Sequence, residues 1–394
     1  MKLIGIIGEY NPFHNGHQLH ITESKNRLSE KSATVCVMSG DFVQRGEPAI
    51  FSKHARAEAA VRSGADLVLE LPLPWALSSA EGFARGAVGI IGALGCIDYL
   101  SFGSESGDLQ TLTSLATAIM DPALDGQIRD ELECGVSYAA ARQRALAHQI
   151  GSMANHLETP NNILAVEYLK ALFSQRLRVE PMTITRMGAA HDEVGGSASD
   201  IRNLIRTGGR FKHFMTKEAY EVLKREKEQG RGPVFPETLE TALISRYRML
   251  SEADYARLPD AAEGLGNRLY AAAKEETTID GILSAAKTKR YALSRIRRMY
   301  MCAALGIQTG DSEGIPPYTR VLAANKDGRD ALKAISEKAS IPIITKPAEI
   351  KELSKECRRL FELESNAHDL YSLGYAAREE RRGMAEWRIS PFMV

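Results

Sequence analysis

The chain predicts an α/β fold, a parallel sheet covered on both faces with a helical insert, followed by a mainly helical part that carries a small α/β unit. Three observations predict it. Over the first hundred residues short, apolar, β-rich runs alternate with helical patterns, the arrangement of a parallel sheet with crossover helices. Residues from about 107 to 172 read as mostly helical, and from about Phe211 the texture changes to long polar helices. At 394 residues the chain is too long for one typical core, which suggests two domains or one enlarged domain with an insertion, and the change of texture puts the boundary at about 1–210 and 211–394.

Each element has its own signal. "MKLIGII" is a buried strand that begins almost at the first residue, with no signal peptide before it. "EYNPFHNGHQLH", from Glu9, is the turn that follows, and "HQLHITESKNRL" is an amphipathic helix with Leu19, Ile21 and Leu28 among polar positions. "SATVCVMSG" is a second strand ending in Ser39 and Gly40, before the loop "DFVQRGEPAIFS". "KHARAEAAVRSG" is a helix stopped by Gly64, and "ADLVLELPLPW" a third strand halted by Pro72 and Pro74. A helix from about Ser79 to Leu94 leads to a fourth strand, "CIDYLSFGSES". Within the insert, "TPNNILAVEYLK" offers a Thr cap and a first-turn Pro. "VEPMTITRMG" returns as a strand, and "SASDIR" opens a closing helix with Ser199 as its N-cap. "KEAYEVLKREKEQGRGP" ends in a Gly/Pro break, and Pro236 to Ala304 reads as a helical bundle. Finally "YTRVLAAN", "KDGRDALKAISEKA", "SIPIITKP" and "AEIKELSKECRRLFELE" predict strand, helix, strand, helix, an α/β unit appended to the helices.

Composition narrows the function classes. Fifty Lys and Arg balance fifty Asp and Glu, which excludes a protein that grips nucleic acid over its whole surface; any RNA site must be a local basic face. Five scattered cysteines, Cys36, Cys96, Cys134, Cys302 and Cys357, show no paired spacing and predict a reduced, cytoplasmic setting. No apolar run reaches membrane-spanning length.

The turn after the first strand carries the chemistry. It lies where ligands bind in open α/β sheets, and the following helix offers free N–H groups and a positive dipole end to an anion. Pro12 restricts Asn11, and Gly16 permits close backbone approach. His14 and His17 are three residues apart across the helix start, so two donors face one space where phosphate fits; they would stabilise charge on the oxygens of an attacked α-phosphate. Two such histidines are also compatible with half a metal site or with an ordinary surface turn. Downstream, "SASDIRNLI" offers Ser197, first-turn amides and Arg202 to phosphate oxygens, or is a plain capped helix. In "KTKRYALSRIRRMY", Lys287, Lys289, Arg290, Arg295, Arg297 and Arg298 stand beside Tyr291 and Tyr300, a pattern that suits RNA or a solvated helix face.

"NPFHNGH" looks like the histidine-x-glycine-histidine signature of the nucleotidylyltransferase superfamily. Together with "VMSGDFVQRGEPAIFSKHARAEAAVRSGADLVLELP", "FARGAV", "SFGSESGD", "PNNILAVEYL", "KTKRY" and "PPYTRVLA", it resembles the bacterial tRNA(Met) cytidine acetate ligases over nearly the whole chain. The resemblance implies a Rossmann-like ATP-binding catalytic domain at 1–210 and a tRNA-binding domain at 211–394. It implies activation of acetate as acetyl-adenylate with release of diphosphate, then acetyl transfer to the wobble cytidine of elongator tRNA(Met) to give N4-acetylcytidine. His14 and His17 would be catalytic. ATP would meet Ile7, Gly8, Glu9, Tyr10, Asn11, Pro12, Phe13, His14, Asn15, Gly16, His17, Gln18, Leu19 and His20, then Gly103, Asn161, Asn162, Arg186, Ser197, Ser199 and Arg202. Mg2+ would accompany ATP, with no metal bound by the protein and no obligate protein partner. Asp41, Arg45 and Lys53 would border the acetate slot, although Arg45 and Lys53 fit tRNA or solvent equally well. The Lys287–Arg298 stretch would hold tRNA, with Arg320, Lys326 and Arg329 as weaker candidates. Two other functions share these features, adenylylation of a phosphorylated cofactor precursor and non-catalytic binding of ATP and RNA.

Overall fold

The computed structural model describes residues 1–136, 138–185, 196–289 and 291–394. Its strands are β1 (Lys2–Gly8), β2 (Ser32–Ser39), β3 (Phe42–Val43), β4 (Glu47–Pro48), β5 (Leu67–Leu71), β6 (Tyr99–Ser104), β7 (Glu180–Thr185), β8 (Thr319–Ala324), β9 (Ile343–Ile344) and β10 (Phe392–Met393). Eight of them make one sheet in the order β10-β8-β5-β2-β1-β6-β7, with β9 beside β8. β5, β2, β1, β6 and β7 run parallel, with Ile4 opposite Thr34 on one side and Tyr99 on the other. The register aligns their carboxyl ends along one edge, where crevices for ligands form.

The predicted α/β unit near the C-terminus is not an appendage of the helices. β8 pairs antiparallel with β5, Leu67 opposite Ala324, and so continues the first sheet. All six β8 residues are buried; such a strand needs cover on both faces, and the open edge of β5 supplies the missing ladder. Asn325 caps the next helix, Lys326–Ser336, accepting the Gly328 amide while its own Nδ2 donates to Asp66. A Cβ on Gly328 would overlap the Asp66 carbonyl, so glycine permits this close seat. β10 then pairs with β8.

Both sheet faces are covered. On one, helices Ala80–Ala93 and Pro160–Ser174 bury Ile90, Ile91, Val166 and Leu169 against Val35, Leu69 and Leu100. On the other, helices Asn15–Asn26, Lys53–Arg62 and Ala198–Thr207 bury Ile21, Ala57 and Ile201 against Ile4, Ile6 and Met38. Leu19, expected inside, is 41 % exposed, because the helix begins at Asn15 and its phase turns Leu19 outward. The insert helices Leu109–Ile119, Ala123–Glu133 and Tyr138–Ile150 share a small core with Leu124, Ile128 and Leu146. Helices Glu240–Met249, Leu265–Glu275, Ile279–Ala286 and Leu293–Leu305 enclose Leu243, Tyr247, Leu269, Ile282 and Met299, and that core continues into Phe42, Leu73 and Leu77 of the sheet part. Among the described residues no helix is long and apolar enough to cross a membrane.

Candidate active site

At the carboxyl end of β1 the turn from Glu9 to His14 is held from three sides. Glu9 accepts the Gln44 amide at 2.8 Å, Asn11 Oδ1 accepts the Ile50 amide at 2.8 Å, and Asn11 O accepts Arg202 Nη1 at 2.7 Å. Arg56, fully buried, donates to the carbonyls of Phe51, Ser39, Gly40 and Glu9, joining the ends of β1 and β2 through one planar donor fork. No sequence signal marks Arg56, one of three Lys and Arg residues in an alanine-rich helix. Tyr10 lies in the left-handed region, at φ 47°, a strained conformation for a non-glycine residue. Its buried ring and the hydrogen bond from Oη to Cys36 Sγ at 3.2 Å hold it there.

The histidines share one design. His14 is the N-cap of helix Asn15–Asn26, and its Nδ1 accepts the Gly16 amide at 3.0 Å. His17 Nδ1 accepts the His14 amide at 3.3 Å. With each Nδ1 serving as acceptor, each neutral ring carries its proton on Nε2. Their centroids are 3.9 Å apart, and Tyr10 and Phe13 pack within 5.0 and 5.5 Å of the His17 ring. Two oriented N–H donors thus stand side by side at a helix N-terminus, with aromatic walls restricting their rotamers. Ile7 and Gly8 lead into the turn, and Asn15, Gly16, Gln18 and Leu19 are exposed on its outer side. His20 Nε2 lies 2.9 Å from Ser101 Oγ, which ties the helix to β6.

The second motif meets the first through Arg202, which also donates to Ser199 Oγ at 3.1 Å. Ser197, not Ser199, caps helix Ala198–Thr207, because only Ser197 has Asp200 three residues on to complete a capping box. Gly103 lies near the end of β6, opposite Ile184. Asn161 and Asn162 open helix Pro160–Ser174. Its Thr159 N-cap makes no side-chain bond there. Both asparagines bind Glu105. Asn161 Nδ2 donates to its carboxylate at 2.6 Å, the Asn162 amide does so at 2.8 Å, and Asn162 Oδ1 accepts the Glu105 amide at 3.0 Å. Burial alone would raise the Glu105 pKa, but these donors outweigh it and lower it. Arg186 lies outside the described residues.

Asp41, Arg45 and Lys53 do not line one slot. Arg45 is exposed, whereas Lys53 is 1 % exposed and Asp41 4 %. Lys53 Nζ reaches Glu70 at 2.6 Å and Glu386 at 2.7 Å, Arg320 also binds Glu386, and Asp41 Oδ2 pairs with His368 Nδ1 at 2.7 Å. Burial opposes charge here, yet His368 draws the Asp41 pKa down to about 2, and Asp41 and Glu386 raise that of His368. Glu364, which accepts from Leu73 N and Tyr318 Oη, is pushed up to about 8 by burial and by Glu70. Three cations, Lys53, Arg320 and His368, therefore face three carboxylates, Asp41, Glu70 and Glu386, with Glu364 neutral. Ligand atoms of Asp41, His368 and Glu386 lie within 4.8 Å of one another, but Lys53 and Arg320 already neutralise Glu386, and a divalent cation would break that balance.

The predicted basic helix begins only at Leu293. Lys287 and Lys289 are exposed ahead of it, and Arg290 lies outside the described residues. Arg297 pairs with Glu47 at 2.6 Å, Arg295 donates to Asp260 O at 3.0 Å, and Arg298, 8 % exposed, lies 3.6 Å from Asp260. Tyr291 and Tyr300 are buried in the helical core. Arg320 belongs to the buried network, and Arg329 donates to Val394 O.

Residues 1–386 match the HIGH Nucleotidyl Transferase family. A tRNA(Met) cytidine acetate ligase of Acetivibrio thermocellus is 39 % identical, covering 95 % of both chains. One from Alkaliphilus metalliredigens is 37 % identical over 100 % of this chain and 99 % of its own. A crystal structure of Thermotoga maritima TmcAL bound with alpha-thio ATP superposes over the full length of both chains, with 33 % identity and a TM-score of 0.92. By sequence and fold together, the chain belongs to the tRNA(Met) cytidine acetate ligases, within the HIGH nucleotidyl transferases.

Proposed function

We propose that this chain binds ATP, activates acetate as acetyl-adenylate and acetylates the wobble cytidine of elongator tRNA(Met). The observation that carries the proposal is the pair of Nε2–H donors of His14 and His17, fixed by backbone hydrogen bonds at a helix N-terminus. Such donors stabilise charge as it develops, at no reorganisation cost. The ATP analogue in the Thermotoga maritima structure and the names of the relatives support the same assignment.

In the first step an acetate oxygen attacks the α-phosphorus, the bond to the bridging oxygen of the β-phosphate breaks, and diphosphate leaves. His14, His17 and the first-turn amides hold the charge that builds on the phosphate oxygens, and Arg202 adds a charge-assisted contact to the bound nucleotide. In the second step N4 of cytidine attacks the acetyl carbonyl, AMP leaves with the former acetate oxygen, and the amine loses a proton. Glu9, the carboxylate of the turn, is half-buried and accepts the Gln44 amide, so Mg2+ would enter on the triphosphate itself. Arg45, exposed next to the Gln44 that holds Glu9, borders the acetate position.

Incubation with ATP, labelled acetate and bacterial tRNA, then nuclease digestion and mass analysis of nucleosides, tests the proposal. The expected product is labelled N4-acetylcytidine that requires ATP. Absence of label in RNA, with folded protein and unmodified tRNA, would sink it and favour adenylylation of a small phosphorylated substrate.

A further inference from the structure

A chain of zero net charge needs a local basic face to hold RNA, and the structure leaves one beside the histidine turn. From Ile201 to Lys217 the sequence has five cationic residues, Arg202, Arg206, Arg210, Lys212 and Lys217, and no carboxylate. Helix Ala198–Thr207 ends on Gly208, at φ 73°, a left-handed stop that turns the chain out of the helix. The segment that follows lies against the active site, because Asn15 Nδ2 donates to His213 O at 3.0 Å. Asn15 is the first residue of the helix that His14 caps.

Two of the five cations are committed, Arg202 to Asn11 and Arg206 to Glu237. Arg210, Lys212 and Lys217 are exposed and have no carboxylate partner among the described residues. The exposed His213 ring packs on Phe214, with centroids 3.8 Å apart, and Lys212 Nζ stands 5.1 Å over the Tyr220 ring. Exposed cations interleaved with aromatic rings provide phosphate contacts and a stacking surface for unpaired bases. Among the described residues the Lys287–Arg298 stretch lacks this combination, since Arg295, Arg297 and Arg298 are engaged by Asp260 and Glu47 and Tyr291 is buried.

We propose that the 208–217 segment is the cradle for the anticodon loop. Arg210 and Lys212 contact its backbone phosphates, and the His213–Phe214 pair is the platform beside which the wobble cytidine is presented. This rests on the acetylation reading given above. The location follows from proximity: the segment is tied to Asn15, the residue after His14, so a loop held on it would lie beside an adenylate at His14 and His17.

The double variant Arg210→Glu/Lys212→Glu and the single variant Phe214→Ala test this, with Lys287→Glu/Lys289→Glu as the comparison. Three quantities are measured for each: acetate-dependent exchange of diphosphate into ATP, tRNA affinity across a salt series, and acetylcytidine formation. The charge reversal is expected to keep exchange within twofold of wild type and to weaken tRNA binding at least tenfold. Its salt slope should fall by about 1.4, at about 0.7 for each single-strand phosphate contact. Phe214→Ala is expected to lower acetyl transfer more than tRNA affinity, and the Lys287/Lys289 reversal to change affinity less than the Arg210/Lys212 reversal does. Unchanged affinity, slope and transfer in the Arg210/Lys212 variant, with wild-type protein acetylating tRNA, would overturn the cradle alone. If wild-type protein formed no acetylcytidine, the acetylation reading would fall first and the cradle with it.

Discussion

Two parts of this molecule handle charge in opposite ways. At the histidine turn, rings from residues 14 and 17 stand at a helix N-terminus, held by backbone bonds within a few positions. A short way along the same sheet edge, Asp41, Lys53, Glu70, Arg320, His368 and Glu386 neutralise one another in the interior. The turn sets two oriented rings at a helix N-terminus, where an anion fits. The network consumes its charges internally and joins the loop after β2, helix Lys53–Arg62, β5, β8 and helix Lys355–Ser372.

The largest effect should come from breaking the compensated side. Glu386 faces Lys53, His54 and Arg320, with its own carboxylate fully buried. Glu386→Ala leaves buried cations unpaired, which costs about 3–5 kcal/mol in comparable pairs. Urea unfolding should show that loss, and a change below about 1 kcal/mol would mean the network is not the joint described here.

His17→Ala should do the reverse. Removing one oriented donor costs about 10²–10³ in rate, read as acetate-dependent diphosphate exchange, while unfolding changes less than in the His14 variant, since His17 supplies only the second bond of the capping box. His14→Ala should lose activity and also about 0.5–2 kcal/mol of stability, because His14 caps its helix. Equal stability of the two variants would remove the structural part of the His14 role.

These regions also differ in how legible they are. The turn could be read directly, because strand, histidines, proline and glycine lie within twenty residues and spacing alone faces the two rings together. The parallel strands could be read from apolar runs for the same reason. The network could not, since Asp41 and His368 are 327 positions apart and His54 and Glu386 are 332 apart. Lys53 therefore looked like a ligand contact, and β8 looked like part of a separate unit, because no local pattern states which sheet edge a buried strand will extend. Arg56 is similar: its four carbonyl acceptors come from chain segments brought together only by the fold.

Acidity distinguishes the regions further. Glu364 is held neutral to about 8 by burial and by Glu70, so the folded state keeps a proton that the unfolded chain releases near 4.5. Its contribution to stability is full below pH 4.5 and is lost as pH rises toward 8. His368, also raised, contributes in the same direction, with full effect below about 6.5 and loss through its higher folded value. Glu364→Gln should therefore show a flatter decline of stability between pH 4.5 and 8 than wild type. Parallel pH profiles would place the titrating group elsewhere.

The smallest expected effect lies on the seam between the two phosphate motifs. Ser197→Ala removes a capping box worth about 0.5–2 kcal/mol, but helix Ala198–Thr207 buries only Ile201 and can fray without global unfolding. The loss should then appear locally, as weaker hold of Arg202 on Asn11 and Ser199. KM for ATP is expected to rise several-fold with kcat nearly unchanged and the unfolding midpoint close to wild type, and Ser197→Thr should restore it. If KM stayed at the wild-type value while the helix frayed by hydrogen exchange, Arg202 would be a brace for the turn and not a contact of the nucleotide.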